Sequence, residues 1–136
     1  MTVTLGEELR NSLCELIRDR ASSGWLILAA DYNAQTQQLT DEVVRFSLAA
    51  VPFGAIAAGS MAANPIAPAR CSRSATLRYW EIRSNPLHPT HPDQILLRGT
   101  IGDISNPGDA DLVLDTVTVQ QNQAIAIASF TYSAPL

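Results

Sequence analysis

The sequence predicts a mainly β chain, an antiparallel β-sandwich or jelly-roll-like domain with one N-terminal α-helix. Three observations predict it. Apolar residues recur at helical spacing only ahead of Gly24. Beyond it, roughly six to eight short strand-length runs follow one another with turn residues between them. Strands and helices never alternate, which argues against a parallel doubly wound sheet. At 136 residues the chain has the size of one domain and is read as one over 1–136, with the helix at 4–22 and the sandwich at 25–136.

The helix comes first. Thr4 and Glu7 have the spacing of a capping box. Leu5, Leu9, Leu13, Leu16 and Ile17 then form an apolar stripe, with Glu8, Arg10, Glu15, Arg18 and Asp19 mostly elsewhere. Acidic residues at its start and Arg at its end suit the helix dipole. Ser22-Ser23-Gly24 stops it, with Gly24 expected in the left-handed conformation. The stripe docks either on the chain's own sheet or on a neighbouring subunit.

The strands follow. Trp25–Ala30 is an apolar run of strand length, separated by the polar stretch Asp31–Asp41 from Glu42–Leu48. The Ala- and Gly-rich residues to Asn64 are assigned to strand, because Gly54 and Gly59 would each weaken a helix by about 1 kcal/mol. Pro65–Ser74 reads as a loop, Ala75–Ser84 as a strand, and Asn85–Gln94, with three prolines, as a loop. Ile95–Ile101 is a strand closed by turns at Gly102-Asp103 and Asn106-Pro107-Gly108. Asp111–Val119 and Ala124–Ser133 complete the set around a turn at 120–123.

Composition points towards contacts with other proteins. The chain is 46% hydrophobic and 16% charged, less charged than the usual quarter or so. Part of such a surface is expected to be covered. All nine basic residues are Arg and none is Lys. Arginine pairs carboxylates bidentately and stacks on rings, which suits interfaces. The net charge of −4 and the lack of a basic stripe predict no nucleic-acid partner. Arg70, Arg73, Arg78 and Arg83 gather within 69–84, where an interfacial or solvated face is expected. Cys14 and Cys71 are too few for a disulfide framework and are expected as thiols. No signal-peptide pattern or membrane-length apolar run is visible, so synthesis in a cytoplasm and no membrane partner are expected.

Chemistry is sparse. In Asn85–Asp93 two imidazoles, His88 and His91, lie three apart near Asp93, a spacing that zinc can use. Three prolines make the same segment a rigid surface loop, and no fourth ligand is evident, so a contact tip is the preferred reading and no metal or cofactor is assigned. No nucleophile elbow, phosphate loop or dinucleotide fingerprint occurs, and Asp109 and Asp111 flank a turn. An enzyme is not expected. Trp25, Tyr79 and Trp80 are candidates for a sugar-binding face or, more commonly, for core and subunit contacts.

The ordered segments PFGAIAAGSMAANPI, ATLRYWEI, LLRGTIG and GDADLVLDTVTVQQNQAIAIASFTYSAP, after a helix, resemble a group of small proteins encoded by tailed bacteriophages and prophages. The resemblance runs from about Glu7 to Pro135. It implies a virion component with a β-sandwich and an N-terminal helix, a head decoration or cement protein on the outer capsid surface. The loop Asn85–Asp93 and the segment Ala69–Ser74 depart from the group's pattern. The expectation is therefore a homo-oligomer, trimer before dimer, bound to the major capsid protein and assembled in the host cytoplasm. The candidate contact residues are Leu9, Leu13, Arg70, Arg73, Arg78, Trp80, His88 and His91. The alternative is a tail component or a carbohydrate- or receptor-binding module, which would expose the three aromatic rings.

Overall fold

The computed structural model describes residues 5–104, 112–127 and 129–135. Among these residues the chain is mainly β, with one helix and a mixed five-stranded sheet. Helix α1 spans Glu7–Arg20. The long strands are β1 (Trp25–Asn33) and β2 (Gln38–Ser47), and β3 (Ser60–Ala62), β4 (Ala69–Arg70) and β5 (Ala75–Thr76) are short. They are followed by β6 (Tyr79–Arg83), β7 (Ile95–Asp103), β8 (Leu112–Leu114), β9 (Thr118–Val119), β10 (Ala124–Ile125) and β11 (Thr131–Ser133). The large sheet has the order β2-β1-β6-β7-β8, and the remaining strands form three two-stranded ladders, β10-β4, β11-β3 and β5-β9.

The helix is shorter than the sequence suggests. Gly6 is its N-cap, and among the described residues no side chain caps it. The expected capping box does not start the helix, and Thr4 lies outside the described residues. At the other end Ser23, not Gly24, takes the left-handed conformation, with φ 54°. Gly24 is needed for a different reason: a Cβ there would stand 2.4 Å from the Arg83 carbonyl oxygen. The helix packs on its own chain through Leu13 and Ile17, while Leu9 and Leu16 of the same stripe stay exposed. Asn11 Oδ1 accepts the Gly59 N–H at 2.8 Å, and Arg18 donates to the Gly54 carbonyl at 3.2 Å. Cys14 is the buried residue of the helix itself.

The polar stretch 31–41 is mostly strand rather than a separator. Asp31, Tyr32 and Asn33 pair with Thr40, Leu39 and Gln38. Both faces of this ribbon are largely open to solvent, so it lacks the apolar alternation that marks a strand in sequence. Asn33 Oδ1 accepts the N–H groups of Gln35 and Thr36 and so closes the turn. Further along β2 the register shifts, with Leu28 opposite Val44 and Ala29 opposite Glu42. Val43 is the extra residue of a bulge, which lets Val43 and Val44 both be buried. The Val43 carbonyl accepts both the N–H and the Oγ–H of Ser72.

Three runs read as single strands are cut in two. Ala75–Ser84 divides at Leu77-Arg78: β5 pairs with β9, while β6 joins the large sheet between β1 and β7. The run 111–119 divides into β8 and β9, and 124–133 into β10 and β11. Of 51–64 only Ser60–Ala62 is a strand, reached through a tight turn with Ala58 (φ 50°) and Gly59 (φ 75°) both left-handed. The expected all-antiparallel pairing is also corrected, because β8 runs parallel to β7, with Ile101 opposite Leu112.

One face of the large sheet carries Leu26, Leu28, Val44, Phe46, Trp80 and Ile82 into the core, where they join Phe53, Met61, Ile127 and Phe130. Such side chains contribute about 1.5–3 kcal/mol each on burial. Cys14 and Cys71 are free and buried. Burial pushes both thiols, and the Tyr132 phenol, above their ordinary values. For an acid held protonated by the fold, the stabilisation is complete below its unfolded pKa and falls as pH rises towards the folded one. The urea midpoint is therefore expected to decline above about pH 9. A midpoint that stays flat well into the alkaline range would contradict this.

Candidate contact surface

The loop between β6 and β7 is built from the inside. Fully buried Ser84 donates its N–H to the Gln94 carbonyl at 2.8 Å, which closes the loop's ends. Its Oγ donates to the His91 carbonyl and accepts the Gln94 N–H, each at 2.6 Å. Asn85 Oδ1 accepts the Leu87 N–H at 2.7 Å, and its Nδ2 donates to the Ser23 carbonyl at 2.8 Å. The Asn85 carbonyl accepts from His88 and Asp93. His88 Nδ1 accepts the N–H groups of Thr90 (3.3 Å) and His91 (3.0 Å). His88 thus holds the loop's shape and has only Nε2 left to offer a ligand. The two imidazoles lie 5.7 Å apart. Among the described residues no three His, Cys, Asp or Glu side chains gather as a metal site.

What this scaffold holds out is Leu87, whose side chain is 90% exposed. The bond from Asn85 to Ser23 sets the loop beside the end of α1, with a groove of about 400 Å³ between them, lined by Asp19, Ser22, Asn85, Leu87 and His88. On the helix, Leu9 and Leu16 are 51% and 44% exposed and lie seven residues apart on one face. Leu13, expected as a contact, packs partly against the chain's own core.

The arginines of 69–83 do not form one patch. Arg70 donates to the Asn122 carbonyl at 2.8 Å, and Arg73 pairs with Asp41 at 2.8 Å. Arg78 is exposed, with no side-chain partner among the described residues. Arg83 belongs to another cluster on the outer face of the large sheet. There Glu81, only 1% exposed, accepts from Arg83 at 3.0 Å and Arg98 at 2.7 Å. Arg98 also lies 4.8 Å over the Tyr32 ring, and Tyr32 packs 5.8 Å from Tyr79. Arg45 lies 5.2 Å over Trp25, and its bond to Glu42 pushes its guanidinium pKa up. This layer of arginines and rings covers Ile27 and Ala29, both buried although they sit on the outer face.

Trp80 is not a surface contact. Strand alternation turns it to the core side with Leu28, its register partner, where it is 5% exposed and meets Phe130 edge-on at 5.0 Å. Trp25 and Tyr79 are half-buried under Arg45 and against Tyr32. The three rings expected of a glycan platform are thus split between the two faces of the sheet.

Two residues escaped the sequence reading. Leu87 was overlooked beside the histidines, although a lone Leu between Pro86 and a His-Pro pair on a rigid loop has no core to join. Glu81 stands between Trp80 and Ile82 in a strand, with Arg83 two residues on, which signals a buried ion pair. Comparison with family models, curated proteins and solved structures finds no match to this chain. Among the described residues no helix is long and apolar enough to cross a membrane.

Proposed function

We propose that this chain is a non-enzymatic assembly protein of a bacteriophage particle, a decoration protein that binds the major capsid protein on the outer capsid surface and stabilises the shell. The observation that carries the assembly reading is the hydrogen-bonded 85–93 loop with its exposed Leu87, standing beside a helix that shows Leu9 and Leu16. A tip ordered before binding loses little entropy when it docks, and an exposed Leu gains from burial. The sequence resemblance supports the phage assignment, together with a lysine-free, low-charge surface. In this reading the short ladders form the second layer of a β-sandwich over the five-stranded sheet, and the protein acts as a homo-oligomer, trimer before dimer.

Co-sedimentation with expanded, undecorated capsids tests the reading, with light scattering for the oligomer. The wild-type chain is expected to saturate capsids at a fixed ratio. Leu87→Glu is expected to leave the thermal midpoint within about 1 °C, since the side chain touches little, yet to weaken capsid binding by about tenfold or more. A wild-type monomer that ignores capsids, or a Leu87→Glu variant that binds as well as wild type, would sink the assignment of this surface.

A further inference from the structure

We propose that the cleft between β7 and β11 takes up an extended, uncharged segment of a partner protein as an added strand. Only the partner's identity as a particle protein rests on the function proposed above. The cleft holds about 280 Å³, with Leu97 and Arg98 on one wall, Thr131 and Ser133 on the other, and Trp80 and Phe130 at its floor.

Among the described residues both walls are strand edges. β7 pairs with β6 on one side, and on the other β8 reaches only Ile101–Asp103. Among the described residues the stretch 96–98 has no strand partner on that side. The phase of the ladder follows from the Ile101 N–H, which donates to the Arg78 carbonyl. By alternation Arg98 turns its own N–H and C=O away from β6. Among the described residues β11 pairs only with β3. The Phe130 carbonyl and the Ala134 N–H both bond towards β3, at Ala63 and Gly59. Thr131 and Ser133 therefore turn their backbone groups outward.

Rows of unpaired N–H and C=O groups select their ligand, since an extended main chain satisfies the row and a small molecule does not. The same edge of β7 already accepts one strand, β8. At the floor the Trp80 indole N–H is buried without an acceptor among the described residues, and a carbonyl brought into the cleft relieves it. The lining contains no carboxylate, and the Arg98 guanidinium is taken up by Glu81 on the other face of the sheet, so an uncharged segment is favoured.

The test is an NMR titration of the full ¹⁵N-labelled chain, whose two tryptophans give separate indole signals. The probe is acetylated and amidated Thr-Val-Thr-Val-Thr, compared with the same peptide N-methylated on its valines. The plain peptide is expected to shift the Trp80 indole and the Arg98, Thr131 and Ser133 amides saturably, leaving the Trp25 indole in place. The N-methylated peptide should bind about tenfold more weakly. Thr131→Pro removes one outward N–H without touching the ladder to β3, and should keep the native spectrum while weakening the plain peptide's binding. No shift at millimolar peptide, or equal shifts from both peptides, overturns the proposal. The same shifts on concentrating the protein alone would assign the cleft to a second copy and overturn it too. No capsid enters this titration, so its failure is distinct from failure of the decoration reading.

Discussion

Gly24→Ala is expected to be strongly damaging, lowering stability by about 3 kcal/mol. The added Cβ would stand 2.4 Å from the Arg83 carbonyl oxygen and 3.0 Å from that of Ala21. Both are backbone atoms, so no side chain can swing aside. Gly24 sits where three elements meet. Its N–H bonds to Ala21 at the end of α1, its carbonyl accepts from Leu48, and the residue after it pairs with Arg83. Relief would require β1 and β6 to part at the position that sets their register. Gly54→Ala is the control, because its Cβ would meet Asn64 Oδ1 at an ordinary 3.5 Å. Urea unfolding of the two variants provides the check. Equal midpoints would mean that the junction yields more easily than its geometry implies.

Glu81→Ala is expected to cost a similar amount, about 3 kcal/mol, the low end of the range for breaking a buried ion pair. The carboxylate is 1% exposed and bridges Arg83 and Arg98, whose side chains keep 27% and 21% of their exposure. Removing it leaves two guanidiniums facing each other over Ile27 and Ala29, with residual solvent access to soften the penalty. Arg98→Ala should cost less, because Arg83 still holds the carboxylate. The double variant should cost less than the sum of the two, a coupling that a double-mutant cycle reads directly. Added salt should change the loss only slightly, since buried pairs are poorly screened. If Glu81→Ala unfolds at the wild-type midpoint, the triad is ornamental to folding.

Where a local pattern has a single cause, it could be read from sequence. The helical spacing of Leu and Ile predicts α1, and the helix lies there, with Leu13 and Ile17 packed against the core and Leu9 and Leu16 left exposed. The prolines and Asn85 of the 85–94 segment limit the backbone to a loop, and a loop braced by Ser84 and Asn85 is present. The contact residues were less legible. Strand alternation put Trp80 and Trp25 on opposite faces, but nothing in the sequence said which face was the core. His88 stands out in the sequence as a contact residue at a loop tip. Its Nδ1 instead serves as the acceptor for two N–H groups of its own turn.

By itself the sequence determined a β-rich chain behind one amphipathic helix, a proline-braced loop, and a surface that relies on arginine alone for its positive charge. The tertiary structure alone decided where each apolar run is cut, which edges pair in parallel, and that Glu81 lies under a lid of arginines while Leu87 stands in water. The physical reason is range. Periodicity and turn chemistry act over a few residues, whereas register, bulges and burial depend on contacts such as Trp25 with Arg83 and Thr131 with Ala62, far apart along the chain.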